Sequence, residues 1–188
     1  MAQDRKSSVV LAEIDLSECS AGKILDYQEP DKRVEEKVFK GWNNALEWGP
    51  KQGKRPSSYR VVRDGEVQVL EHHNKTGRCL TTGEPLWGDY TVEAFVRQLN
   101  AFTQPNNDDP HAIVGLSGLM VRYQDLRRYY IFAIEGYERF VLYRREDEAW
   151  TVLADYRNGV DRSRYYHLKV VCEGERLACY VDGKQIFV

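Results

Sequence analysis

An all-β fold, two antiparallel sheets packed face to face with little helix, is what this sequence predicts, and three observations predict it. The first is the stretch Gly115 to Leu153. Four runs rich in Val, Ile, Leu, Tyr and Phe (Leu119 to Tyr123, Tyr129 to Ile134, Arg139 to Tyr143, Ala149 to Leu153) are joined there by short charged or glycine-bearing connections. That is the pattern of a meander. The second is a pair of Asp-Gly steps, Asp64-Gly65 and Asp182-Gly183, each beside alternating apolar residues. Asp-Gly tolerates the positive φ that tight hairpin turns require. The third is the absence of a glycine-rich phosphate loop among roughly a dozen short strand-like runs.

Taken in order, Val10, Ala12, Ile14 and Leu16 alternate with Leu11, Glu13 and Asp15, so Val9 to Leu16 reads as a first strand at one end of the sandwich. Ser17 to Pro56 is polar and irregular. Within it Val34, Val38, Trp42 and Leu46 recur every fourth residue, as one face of a short helix would. Tyr59 to Glu71 is a hairpin centred on Asp64-Gly65, and Arg78 to Thr82 is short and extended. Tyr90 to Asn100 is a long strand with Tyr90, Val92, Ala94 and Val96 on an apolar face and Thr91, Glu93, Phe95 and Arg97 on a mixed one. In the meander, Leu119, Val121 and Tyr123 share one face and Met120 and Arg122 the other. Tyr165 to Cys172 and Leu177 to Val181 form a further hairpin, and the Asp182-Gly183 turn leads into Gln185 to Val188. A chain that stops within a strand is either part of a larger protein or closes its own sheet with that strand.

At 188 residues the chain suits a single domain, with 1–58 as strand and excursion and 59–188 as the sandwich proper. Lys plus Arg (27) nearly balances Asp plus Glu (29), which disfavours nucleic acid and anionic membranes as partners. Neither a signal-peptide core nor a bilayer-spanning run is present, so the expected location is cytoplasmic unless the chain is a module of an exported protein. With a four-residue loop between their strands, Cys172 faces Leu177 and Cys179 faces Val170. That diagonal is too wide for a disulfide and predicts free, core-facing thiols. Cys19 and Cys79 are isolated, and His72, His73, His111 and His167 have no metal spacing.

The runs DGEVQVL, GRCLTT, WGDYTVEAFVR, SGLMVRYQDLRRYYIFAI and YYHLKVVCEGERLACYVDGKQIF, in that order, resemble the successive strands of the concanavalin A-like, laminin-G-like jelly roll. The glycan-processing version, which includes the keto-disaccharide hydrolase domains, is the one they are most similar to. The resemblance covers about Tyr59 to Val188, and the order of the motifs is its specific part. It implies a curved sheet whose concave side holds carbohydrate, an oligosaccharide or polysaccharide.

Three constellations follow. Glu93, Arg97, Arg122 and Tyr130, if on adjacent strands of a concave sheet, either chelate sugar hydroxyls beneath an aromatic ring or form cross-strand ion pairs with no ligand. Glu13, Asp15 and Glu18 have the E-x-D-x-x-E spacing, which resembles the catalytic strand of laminarinase-type glycosidases, though here it comes almost first in the chain. Asp108 and Asp109, in the run Asn106 to Asp109, offer calcium oxygen ligands or a plain turn; no cofactor is required, and a structural calcium is the one implied. Half of the twelve tyrosines are explained by packing alone, Tyr123, Tyr137 and Tyr143 either line a surface cleft or decorate strand edges, and Trp87 anchors the core rather than stacking on sugar. The leading expectation is a lectin-like glycan-binding module of a larger protein. Its competitors are a glycoside hydrolase or polysaccharide lyase, and a structural or protein-interaction sandwich that associates through Gln185 to Val188.

Overall fold

The computed structural model describes residues 9–17, 19, 21, 42–46, 59–72, 78–84, 87–99, 115–125, 127–136 and 138–188. Among the described residues there is no helix, and every strand pairs antiparallel. Two compact units divide the chain, Met1–Pro85 and Leu86–Val188.

In the first unit β1 (Asn43–Leu46) pairs with β4 (Arg78–Thr81), and β2 (Tyr59–Asp64) pairs with β3 (Val67–His72). The helix expected from the fourfold spacing is replaced at Asn43–Leu46 by a strand; Val34 and Val38 lie outside the described residues. Four apolar positions are a weak helical signal, Asn43 and Asn44 are poor helix formers, and pairing with β4 wins. Asp64 pairs with Val67, so Gly65 and Glu66 form the turn, one residue later than expected. Of these two, Gly65 alone has positive φ (63°), which is the type II′ requirement rather than type I′. Val61 and Cys19 are buried here with Leu16 and Leu70 against them.

The expected strand at Val9 to Leu16 does not form. Asp15 accepts a hydrogen bond from the Ser17 N–H (2.9 Å), the Leu16 carbonyl accepts one from Cys19 (3.0 Å), and Val9, Val10 and Leu11 stay exposed. Alternation gave this segment a strand pattern, but a strand also needs a neighbouring edge. The local Asp turn takes its place.

The second unit is a two-sheet antiparallel sandwich, as the sequence predicts. One sheet runs β6 (Leu116–Asp125), β7 (Arg128–Glu135), β8 (Arg139–Glu146), β9 (Ala149–Arg157) in that order. The other is built from β5 (Tyr90–Val96), β10 (Tyr166–Glu173), β11 (Arg176–Val181) and β12 (Lys184–Phe187), in the order β12-β11-β10-β5. Leu119, Val121, Phe132, Ile134, Phe140 and Leu142 from the first sheet meet Tyr166, Leu168, Val170, Cys172, Leu177 and Cys179 from the second in one buried core. Tyr90, Val92, Ala94 and Val96 pack on its flank, on the face that alternation assigns them.

Cys172 pairs with Leu177 and Val170 with Cys179, the predicted register, and both thiols are free and fully buried. Burial pushes the Cys179 thiol up to about 12. At the other hairpin Asp182 (φ 50°) and Gly183 (φ 79°) are both left-handed and form the type I′ turn expected of Asp-Gly. One alternation is overturned. The register of β6 shifts between Val121 and Asp125, with Arg122 at φ 51°, and its N–H donates to the Tyr90 hydroxyl (2.7 Å). Past this bulge Tyr123 leaves the face of Leu119 and Val121 and sits 6.2 Å from the outward-facing Tyr129 ring.

Candidate functional site

Glu93, Arg97, Arg122 and Tyr130 do not share a hollow. Strand β5 pairs with β10, not with β6, so Glu93 lies in one sheet and Arg122 and Tyr130 in the other. Glu93 is on the outer face, opposite Lys169 in register, with its Oε2 3.5 Å from the His167 Nε2. Beside it Phe95, 72% exposed, stacks on the His167 ring at 4.8 Å. The Arg97 guanidinium lies 4.6 Å above the Tyr165 ring. Arg122 donates to the Gly174 carbonyl, and the Gly174 N–H donates to Asp89 (2.7 Å), so Arg122 ties β6 to the β10–β11 turn. Tyr130 faces inward, into the packing between the sheets, whereas Glu93 faces outward from the core. Alternation along each strand was legible; which strands are neighbours was not.

The other two constellations are not assembled either. Glu13 and Asp15 are exposed and lie on no strand, and Glu18 is outside the described residues. Hydrogen bonds from Ser17 hold the Asp15 carboxyl below the usual range, the reverse of what a general acid needs. Asp108 and Asp109 also lie outside the described residues. Among the described residues, no three His, Cys, Asp or Glu side chains group as metal ligands.

What the second unit does assemble is an open cavity of about 630 Å³ at one end of the sandwich. Its walls come from inner-face aromatic residues, Phe140, Tyr156 and Tyr166, from the connection after β9, and from the Asp182-Gly183 turn. The connection is fixed in place: Gly159 N–H donates to the Glu138 carbonyl (3.2 Å), and Val160 packs against the core. Asp161 then donates its backbone N–H to the Tyr166 hydroxyl (2.7 Å) and caps Ser163 through its carboxylate, at 2.8 Å to the N–H and 2.6 Å to Oγ. Arg164 bonds Asp182 (2.8 Å) while its guanidinium covers the Tyr166 ring at 3.9 Å. The other Asp182 oxygen accepts the His167 N–H (3.0 Å), and Lys184 sits 5.7 Å from the Tyr156 ring.

Both carboxylates of this cavity are held ionised. The Ser163 hydroxyl and N–H lower Asp161. For Asp182 burial pulls upward, but the His167 N–H and the Arg164 guanidinium outweigh it and the net shift is downward. A glycosidase needs one carboxyl kept protonated, and neither of these is raised.

The Asp182 shift has a sign that can be measured. Its folded value lies below the unfolded one, so the stabilisation it brings is present above about pH 4 and is lost as pH falls through the folded value. Asp182→Asn should therefore shallow the acid limb of urea midpoint against pH. An unchanged limb would remove Asp182 as a contributor.

A second polar cluster sits on the outer face of the meander sheet. Arg139 bonds Glu135 (2.5 Å), Asp155 (3.0 Å) and the Tyr143 hydroxyl (3.2 Å), and that hydroxyl donates to Glu135 (3.0 Å). Burial first, then the charge of Glu135, pushes Tyr143 up to about 12. The cluster stitches β7, β8 and β9 together, and its groups are used on one another. Sequence reasoning missed both groupings. The run Asp161-Arg162-Ser163-Arg164-Tyr165-Tyr166 directly before a strand, followed by Asp182-Gly183, was the available signal for the cavity.

No protein-family profile matches the chain, and no curated protein is significantly similar to it in sequence. Among solved structures it is similar to the carbohydrate binding module CBM66 from Bacillus subtilis, with 18% identity, 79% of this chain and 78% of that chain covered, and a TM-score of 0.49.

Proposed function

We propose that this chain binds carbohydrate, and that the cavity between Tyr156 and Asp182 holds the sugar. One observation carries the reading: an open cavity of about 630 Å³ sets the half-buried Tyr156 ring against charged groups that are already oriented. Sugars present C–H faces that suit rings and hydroxyl rows that suit carboxylates and guanidinium groups. Because Arg164, Asp161 and Asp182 are fixed by protein hydrogen bonds, little ordering cost remains to oppose binding. The role is that of a binding module within a larger carbohydrate-active protein.

Calorimetric titration with a panel of mono- and disaccharides tests this. At least one should bind, equally with or without EDTA, and Tyr156→Ala should weaken it about tenfold, or ~1.4 kcal/mol. Full affinity in that variant would remove the cavity from the reading. Reducing-end release from the same sugars separates binding from hydrolysis, with Glu13→Gln as a control, and none is expected.

A protein-interaction role has its own observation: β12 ends its sheet, and Val188 is exposed beside it. Concentration-dependent sedimentation without sugar binding would favour that alternative.

A further inference from the structure

We propose that the sugar site continues into a second cavity, and that the resulting groove takes an acidic oligosaccharide lengthwise. This rests on the carbohydrate reading above and adds the length and charge of the ligand. The second cavity, of about 460 Å³, is also walled by the second unit. The two alternate along the same strands. Phe140 and Leu142 on β8, and Tyr156 and Ala154 on β9, two residues apart in each case, line the first and the second respectively, as do the consecutive Ile186 and Phe187 on β12. Residues two apart on a strand are about 7 Å apart, so the cavities are immediate neighbours.

They also lie along one seam. Strand β9 is the last of its sheet and β12 the last of the other, and the two walls meet at those outer strands. Strand β11 sets the length: it touches the first cavity with Val181 and the second with Arg176, five steps or roughly 17 Å away. A ligand filling both is a chain rather than a single sugar.

The far end selects charge. Its floor is apolar, built from Leu142, Leu177 and Phe187, and two guanidinium groups, Arg144 and Arg176, border it against one side-chain carboxylate, Glu175. Glu146 already engages Arg144. Arg176 has no ion-pair partner among the described residues. A guanidinium over an apolar floor suits a sugar carboxylate, which it grips in bidentate fashion while the ring's C–H face rests below. The first cavity, in which two cations and two carboxylates balance, takes the uncharged part of the chain.

The test compares acidic hexasaccharides (galacturonate, mannuronate and glucuronate-containing) with neutral hexasaccharides and disaccharides, on wild type and on Arg176→Gln. At least one acidic hexasaccharide should bind about tenfold more tightly than its neutral counterpart. Arg176→Gln should abolish most of that difference and leave disaccharide affinity unchanged. If disaccharides bind but no acidic chain gains over its neutral counterpart, or if Arg176→Gln keeps the gain, the groove is wrong and the sugar cavity stands. If no sugar of any length binds, both fall together.

Discussion

Replacing Phe132 by alanine should lower the unfolding free energy of the second unit by about 3–5 kcal/mol. The side chain has no exposed surface, sits at the centre of the inner face of β7, and meets Phe187 edge to face at 6.0 Å. Leu119 and Leu142, its cross-strand partners, are nearly as buried. Truncation leaves a void that these neighbours cannot close without moving whole strands. The loss should reach the function too. Phe187 lies on β12, which walls both cavities, so its lost partner loosens the groove as well as the core. Urea unfolding gives the first number and sugar titration the second. A cost below about 1 kcal/mol would mean that the two sheets do not depend on this contact.

Gly118→Ala is the second large effect, for a different reason. Gly118 pairs with Ala133 across β6 and β7, and a β-carbon built there would overlap the Phe132 carbonyl oxygen and the Ala133 Cα and Cβ. Backbone cannot swing aside as a side-chain tip can. The ladder must open or β6 must shift, at a cost of about 2–3 kcal/mol. Gly136 is the informative control. Its β-carbon would meet nothing, but its φ is 60°, so Gly136→Ala should cost only the left-handed penalty of about 1 kcal/mol. Thermal melts of the two variants side by side check the ranking. If Gly118→Ala is the milder change, the close approach of β6 to β7 is not real.

Much of the fold was legible because it is written in local patterns. The four-strand meander follows from apolar runs separated by charged turns. The Cys172–Leu177 register holds although its loop is the two residues Gly174-Glu175 rather than four. The Asp182-Gly183 turn follows from a dipeptide that accepts two left-handed residues, although at Asp64-Gly65 the same dipeptide turns one residue later. What failed was non-local. Val9 to Leu16 carries strand alternation but makes no strand pairing, and the helical spacing of Val34, Val38, Trp42 and Leu46 ends in a strand, Asn43–Leu46, that pairs with β4. The sugar quartet failed the same way. Glu93, Arg122 and Tyr130 each face where alternation puts them or where a bulge redirects them, yet β5 pairs with β10, and the three point to different surfaces. The cavity residues Asp161, Arg164 and Asp182 went unread because they sit in connections. Only tertiary contacts with Tyr166 and His167 bring them together.

Backbone amide shifts of isotope-labelled protein, followed by NMR as a disaccharide panel is added, test the sugar cavity most directly. Shifts should concentrate at Asn158 to Arg164 and at Asp182 to Lys184 and should saturate with one binding constant. Spectra that no sugar moves, or shifts confined to Glu93, Phe95 and His167 on the outer face, would contradict the account.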